Sequence, residues 1–193
     1  GEIRLNGKDI SPRSPLDAVK KGMAYITESR RDNGFFPNFS IAQNMAISRS
    51  LKDGGYKGAM GLFHEVDEQR TAENQRELLA LKCHSVNQNI TELSGGNQQK
   101  VLISKWLCCC PEVIIFDEPT RGIDVGAKAE IYKVMRQLAD DGKVILMVSS
   151  ELPEIITVCD RIAVFCEGRL TQILTNRDDM SEEEIMAWAL PQE

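Results

Sequence analysis

The sequence predicts an α/β fold: a mainly parallel sheet with flanking helices, an inserted helical subdomain, and a small antiparallel piece at its start. Three observations carry this. Val113–Phe116 is an apolar run without alternation, the pattern of a strand buried on both faces. Two carboxylates, Asp117 and Glu118, follow it at once, at the end of a strand where open α/β sheets place their ligands. Ile131, Val134, Met135 and Leu138 then recur at i, i+3, i+4 and i+7 in a helix that Asp124 can cap and that runs to about Asp140, and Lys143–Val148 reads as a second buried strand. Strand, helix, strand is the order of a parallel sheet.

The other elements follow in chain order. Ile3 and Leu5 alternate with polar neighbours, and Asn6-Gly7 is a hairpin turn signal. Ser14 suits the cap of a short helix with Pro15 at its first position, Asp17 three residues on, and Gly22 closing it. Met23–Thr27 reads as a strand, with Glu28 and the charged turn Arg30–Gly34 behind it. A mostly helical region lasts to Leu93: a helix over Asn38–Ser48, a loop over Ser50–Gly61 with four glycines, and a polar helix over Val66–Leu81 with Leu78, Leu79 and Leu81 clustered near its end. Ser94 suits an N-cap for a helix to about Leu107, which Cys108-Cys109-Cys110 continues. After the second strand, Ser149–Glu154 opens another helix with Pro153 in its first turn. Ile162–Phe165, the turn Cys166-Glu167-Gly168 and Arg169–Leu174 form a closing hairpin, and Ser181 with Glu184 makes a capping box for the last helix.

Composition narrows the function. At 193 residues and 42% hydrophobic content the chain can bury a sizeable core as one domain with a subdomain. A net charge of −6 disfavours a nucleic-acid partner. The six cysteines include no Cys-x-x-Cys pair, and His64 and His84 lack ligand spacing, so neither a disulfide framework nor a metal site is expected; the thiols are read as free. No apolar run approaches 18 residues and no signal peptide is visible, which points to a cytosolic compartment.

Two stretches carry phosphate chemistry. Gly95 and Gly96 on the first turn after Ser94 leave backbone N–H groups bare, and the helix dipole adds partial positive charge, so this terminus can receive a phosphate. Asp117 can hold a nucleotide's Mg²⁺, and Glu118 can orient a water for attack on the γ-phosphate. The phrase Leu93-Ser94-Gly95-Gly96-Asn97-Gln98-Gln99-Lys100, followed by Ile114-Ile115-Phe116-Asp117-Glu118-Pro119-Thr120, resembles the signature motif and Walker B strand of ABC ATPases. Its Asn-Gln-Gln-Lys form, with the sequel Arg121-Gly122-Ile123-Asp124, is similar to the second nucleotide-binding half of sugar-importer ATPases of the ribose or galactose class. Nearly the whole chain takes part in the likeness.

The resemblance implies a P-loop NTPase-like fold with pieces at about 1–30, 35–103 (the helical subdomain) and 104–193, and cofactors ATP and Mg²⁺. It implies nucleotide-binding roles for Leu93, Ser94, Gly95, Gly96, Asn97, Gln98 and Asp124. Glu28 stands where the family has a glutamine that touches Mg²⁺ and the attacking water. Ser150 stands where most members have a switch histidine, a departure that casts doubt on hydrolysis at this half's own site. A P-loop needs Gly-x-x-x-x-Gly-Lys-Ser/Thr; the nearest stretch, Gly122–Ala129, has Ala127 and Ala129 at the critical places. The chain therefore reads as a domain that opens just after its P-loop helix, inactive alone. The implied partners are the first nucleotide-binding half of the same polypeptide and transporter membrane subunits, at the inner face of the cell membrane, with no nucleic acid. The alternatives are a soluble ABC protein of translation or DNA repair, and a non-catalytic interaction domain.

Overall fold

The computed structural model describes residues 1–53 and 65–191. The chain divides into two compact units, Gly1–Leu146 and Met147–Glu193. The first opens with the expected hairpin: β1 (Arg4–Leu5) pairs antiparallel with β2 (Lys8–Asp9) through Asn6 and Gly7, both at positive φ. Helix α1 (Pro15–Lys20) has Pro15 at its first position, and the Ser14 hydroxyl accepts from the Asp17 N–H, as its sequence signals imply. Strand β3 (Met23–Ile26) follows Gly22, and Arg30–Gly34 forms a wide single turn behind it.

The helical part differs in its bounds. Helix α2 spans Ile41–Asp53, starting later and ending later than Asn38–Ser48. Its start is set by reciprocal bonds between Ser40 and Gln43, each main-chain N–H donating to the other's side chain, a capping box that the Ser-x-x-Gln spacing spells. The helix also takes Ser50–Asp53 from the expected loop; the rest of that loop, residues 54–61, lies outside the described residues. Helix α3 (Glu65–Leu78) stops short of Leu81 because Ala80 turns left-handed at φ 47°, so Leu79 and Leu81 are buried while Leu78 faces solvent. Helix α4 (Gly95–Leu107) packs against α2 on a core that includes Phe35, Ile41, Met45, Ala72, Ile90, Val101 and Leu102. The cysteine run closes α4 rather than continuing it. Pro111 disfavours an α conformation at the residue before it, and Cys110 takes φ 48°. Cys108 and Cys109 are buried, Cys110 is exposed, and none of the six cysteines is in a disulfide; burial pushes the Cys108 thiol up to about 11.

Strand β4 (Val113–Asp117) pairs parallel with β3, Met23 opposite Val113 and Ile26 opposite Phe116. Helix α5 (Val125–Asp140) starts at Asp124, whose carboxylate accepts from the Ala127 N–H at 2.9 Å, and buries Ile131, Met135 and Leu138. Strand β5 (Val144–Val148) completes the order β3-β4-β5. It is not a buried strand: Val144, Leu146 and Val148 are 48%, 52% and 56% exposed. An unbroken apolar run marks a strand able to be covered on both faces, and among the described residues nothing covers the face of Val144, Leu146 and Val148, while Ile145 and Met147 are half-buried.

The second unit comprises α6 (Leu152–Val158), the antiparallel pair β6 (Arg161–Cys166) and β7 (Arg169–Thr175), and α7 (Glu182–Ala189). Its core joins Ile162, Val164, Met180 and Ile185. Only half of the capping box forms: Ser181 accepts from the Glu184 N–H, but the Glu184 carboxylate takes a two-pronged bond from Arg177 instead of returning to the cap.

Lys105 on α4 is buried and donates to the Gly34 carbonyl, holding the turn after β3 onto the helix. Burial lowers its pKa to about 8. The unfolded chain keeps this proton up to about pH 10.4, so between these values unfolding takes up a proton and the lysine's contribution to stability rises with pH. Below pH 8 both states are charged and the contribution is flat. Urea denaturation of the native and Lys105→Met proteins should show a difference in unfolding free energy, native minus variant, that is constant from pH 6 to 7 and grows in the native protein's favour from roughly pH 8 to 10.

Candidate functional site

The site is built on the start of α4. Ser94 holds the backbone position of an N-cap, with φ −62° and ψ 158°, but its hydroxyl caps nothing. It accepts instead from the Asn97 side-chain amide at 2.9 Å. The expectation of a Ser-capped helix is corrected in that respect: the backbone starts at Ser94 and the side chain is diverted. The first N–H with an intrahelical acceptor is that of Gln98, which donates to the Ser94 carbonyl at 2.9 Å. A helix start leaves its leading N–H groups without internal acceptors, and among the described residues no side chain fills them. Gln98 is buried and its amide donates to the Leu93 and Ile90 carbonyls at 3.1 and 3.4 Å, fixing the turn before the helix. Farther along, buried Lys100 donates to Glu130 on α5 at 2.8 Å and to the Ala80 carbonyl at 3.0 Å. That contact holds the Glu130 carboxyl below its usual range.

Two glycines of this turn do different work. A Cβ on half-buried Gly95 would lie 3.4 Å from the Arg30 Nη2 and 3.5 Å from the Gly122 carbonyl, ordinary contact distances. A Cβ on Gly96 would lie 2.5 Å from the Ala127 Cβ. Gly96 is glycine because α4 and α5 approach closely there, a reason separate from access to a phosphate.

The strand-end carboxylates stand on β4. Asp117 is half-buried and its Oδ2 accepts from the Tyr25 hydroxyl at 2.5 Å; that bond, chiefly, raises the Tyr25 pKa. Glu118 has φ 47°, a left-handed conformation that costs a non-glycine residue about 1 kcal/mol. The turn behind it is closed by the Arg121 N–H on the Glu118 carbonyl and the Ile123 N–H on the Thr120 carbonyl. Glu28 forms an ion pair with Arg121. Residues 28–32 and 121–122 line one shallow, open cleft. Ser150 lies in the second unit, exposed, two residues after β5.

Arg30 is one of two residues of the candidate site that sequence reasoning missed. Its guanidinium donates to the Arg121 and Gly122 carbonyls at 3.0 and 3.3 Å, so it ties the loop after β3 to the turn after β4 beside the start of α4. Burial first and Arg31 second lower its pKa. In sequence it was one of several charges in a turn, with nothing to distinguish it from solvated neighbours. Tyr25 was missed in the same way, since a tyrosine in a strand reads as packing.

Residues 1–121 match the family model described as ABC transporter. The chain belongs to the ABC transporter family. Among curated relatives of this ABC chain, the ribose import ATP-binding protein RbsA of Bacillus cereus is 45% identical over 191 residues, which cover 98% of this chain and 37% of that protein. The putative ribose/galactose/methyl galactoside import ATP-binding protein 1 of Burkholderia lata is 45% identical over 196 residues, 100% of this chain and 37% of that protein. The chain thus spans little more than a third of the length of these relatives. Solved ATP-binding cassettes share the fold: one from an ABC transporter superposes with TM-score 0.79 at 20% identity over 99% of this chain and 77% of that one. A dimeric cassette bound to ADP and phosphate gives 0.72 at 21%, over 92% and 74%. The α/β fold of an ABC cassette, expected from the sequence, is the fold observed.

In this ABC cassette the packing at Gly96 is testable apart from any nucleotide. Gly96→Ala should destabilise the protein by about 1–3 kcal/mol through overpacking, read as a lower urea midpoint with an unchanged slope. Gly95→Ala, which meets only ordinary contacts, should shift the midpoint far less.

Proposed function

We propose that this chain is an ATP-binding segment of an ABC-type sugar importer, the second of two nucleotide-binding halves of one polypeptide, with the helical subdomain near residues 35–103 facing membrane subunits. The observation that carries the reading is the start of α4: a Ser-Gly-Gly turn with uncapped N–H groups, Gly95 lying against the Gly122 carbonyl in the turn that follows the carboxylates Asp117 and Glu118. The relatives named as ribose and galactose import proteins support the substrate class. No helix among the described residues is long and apolar enough to cross a membrane, so the chain would sit peripherally on the cytoplasmic face through its partners.

The donor set fits ATP and Mg²⁺. Among the described residues there is no cluster of three metal-ligating side chains, and Mg²⁺ with a nucleotide needs none: one or two carboxylates suffice beside phosphates and water. Asp117 would hold the ion, which supplies charge neutralisation at the phosphates when bound; Tyr25 keeps the carboxylate in place. Glu118 would orient a water. Glu28, paired with Arg121, would reach the metal only by leaving that partner. Leu93 and Gln98 support the turn from behind, and Ser94, Gly95, Gly96 and Asn97 present donors to an anion. Those donors would face the P-loop of the first half, so this chain would complete its neighbour's site. Asp124, as the cap of α5, would position the 121–124 turn. Ser150, by the resemblance, would supply a hydroxyl where most members of the family have a histidine that carries charge.

In the full-length protein with its membrane subunits, Gly95→Asp should cut ATP hydrolysis by roughly 10²–10³-fold, the loss typical of a spoiled oxyanion-type site. Glu118→Gln should cost less than the matching change in the first half. The isolated chain should hydrolyse no ATP above background. A silent Gly95→Asp, or retention of the protein on RNA or DNA in place of membrane subunits, sinks the importer reading.

A further inference from the structure

We propose that Cys109 and Cys110 form a reversible oxidation site: peroxide closes a disulfide between these neighbours, and the closure releases α2 from the end of α4. The inference stands apart from the proposed function and uses the cysteine run that the function leaves idle. The three thiols differ in their surroundings. Cys110 is exposed, while Cys109 and Cys108 are 3% and 9% exposed. Burial, chiefly, keeps the Cys108 thiol protonated. Cys109 lies four positions beyond Lys105, whose buried ammonium is close enough to feel the charge of its sulfur. A cation beside a thiol favours the thiolate, the form that attacks.

The chemistry balances with hydrogen peroxide as the oxidant. The Cys110 thiolate attacks one peroxide oxygen and the O–O bond breaks. The displaced hydroxide takes the proton that the thiol has lost and leaves as water, and Cys110 is now a sulfenic acid. The Cys109 thiolate then attacks the Cys110 sulfur. The S–S bond forms, the S–O bond breaks, and hydroxide leaves as water with the Cys109 proton. The thiol pair loses two electrons and the peroxide gains them.

Adjacent α-carbons are about 3.8 Å apart across a trans peptide, short of the roughly 4.4–6.8 Å that disulfides usually span. The ring is therefore strained and easily reduced, which suits a reversible modification rather than a structural bond. To close it, the peptide between Cys109 and Cys110 must turn. That peptide has a partner in another helix: the Lys52 Nζ donates to the Cys109 carbonyl at 2.6 Å. Lys52 stands in the last turn of α2, 57 positions away in sequence. Turning the peptide withdraws the carbonyl, so oxidation of the exposed thiol loosens the end of α2.

The test treats the reduced full-length protein with stoichiometric hydrogen peroxide. Peptide mapping reads the cysteine run, and hydrogen exchange reads the last turn of α2. In the native protein the peptide that holds the run should lose the mass of two hydrogens, leave only Cys108 open to alkylation, and regain its thiols with dithiothreitol. Exchange around Lys52 should quicken on oxidation and recover on reduction. Lys52→Met should exchange quickly from the start and gain nothing more on oxidation. Cys109→Ala should stop at a sulfenic acid on Cys110, trapped by dimedone, and Cys108→Ala should still close the bridge. A run that stays reduced, a bridge that uses Cys108, a disulfide between two molecules, or a bridge that leaves exchange at Lys52 unchanged overturns the proposal. The native protein answers each of these directly, so a variant that fails to fold leaves the test intact.

Discussion

The first unit depends on how closely α4 can approach α5 at Gly96 and Ala127. The helices touch there without room for a methyl group, so the start of α4 is fixed by packing and not by a cap. The Lys100–Glu130 pair makes the same junction from one turn farther on, with a lysine only 3% exposed. Removing Glu130 would take the carboxylate from a buried lysine charge, which is a strong reason for the two helices to keep their register. With the backbone held from the side, the helix can leave its leading N–H groups open to the surface. An uncapped end is otherwise a weakness worth about 1 kcal/mol.

The turn after β4 is constrained in a comparable way. Glu118 sits in a left-handed conformation that an unsupported glutamate would avoid. Its surroundings over-determine it: Pro119 follows, the Arg121 N–H closes the turn on its carbonyl, and Arg30 clamps the next two carbonyls. Arg30 is well suited to that task, because its planar guanidinium presents donors in a fixed fork that is pre-organised for two neighbouring carbonyls. The cation is left beside a helix N-terminus and near Arg31, so the local field favours an anion.

Much of the fold was legible because local rules and tertiary context agree. The Asn6-Gly7 turn, the Ser14 and Asp124 caps and the α5 stripe all form as their residues imply. Boundaries failed where a competing signal lay close by: Ser40 and Gln43 set the start of α2, Ala80 ended α3, and Pro111 stopped the cysteine run from extending α4. The exposure of β5 was not legible, since apolar residues describe what a strand can bury and not what stands beside it. In the candidate site, motif spacing singled out Ser94, Gly95, Gly96, Asp117 and Glu118. Arg30 and Tyr25 were not, because their roles come from partners 92 positions away and leave no local trace. The division of labour between Gly95 and Gly96, and the diversion of Ser94 by Asn97, needed side-chain directions that spacing alone does not carry.

The parallel pairing of β3 with β4 also dictates an order of assembly. Tyr25 and Asp117 meet across 92 positions of chain. At a synthesis rate of roughly 5–20 residues per second, β3 leaves the ribosome about 5–20 seconds before its partner strand exists. Helices α2 and α3 are complete in that interval and bury one another's apolar faces through contacts much nearer in sequence, which close quickly. The sheet must wait for the long closure. The strand-end carboxylate and the tyrosine that holds it therefore come together late, and the end of β4 is among the last parts of the unit to take shape.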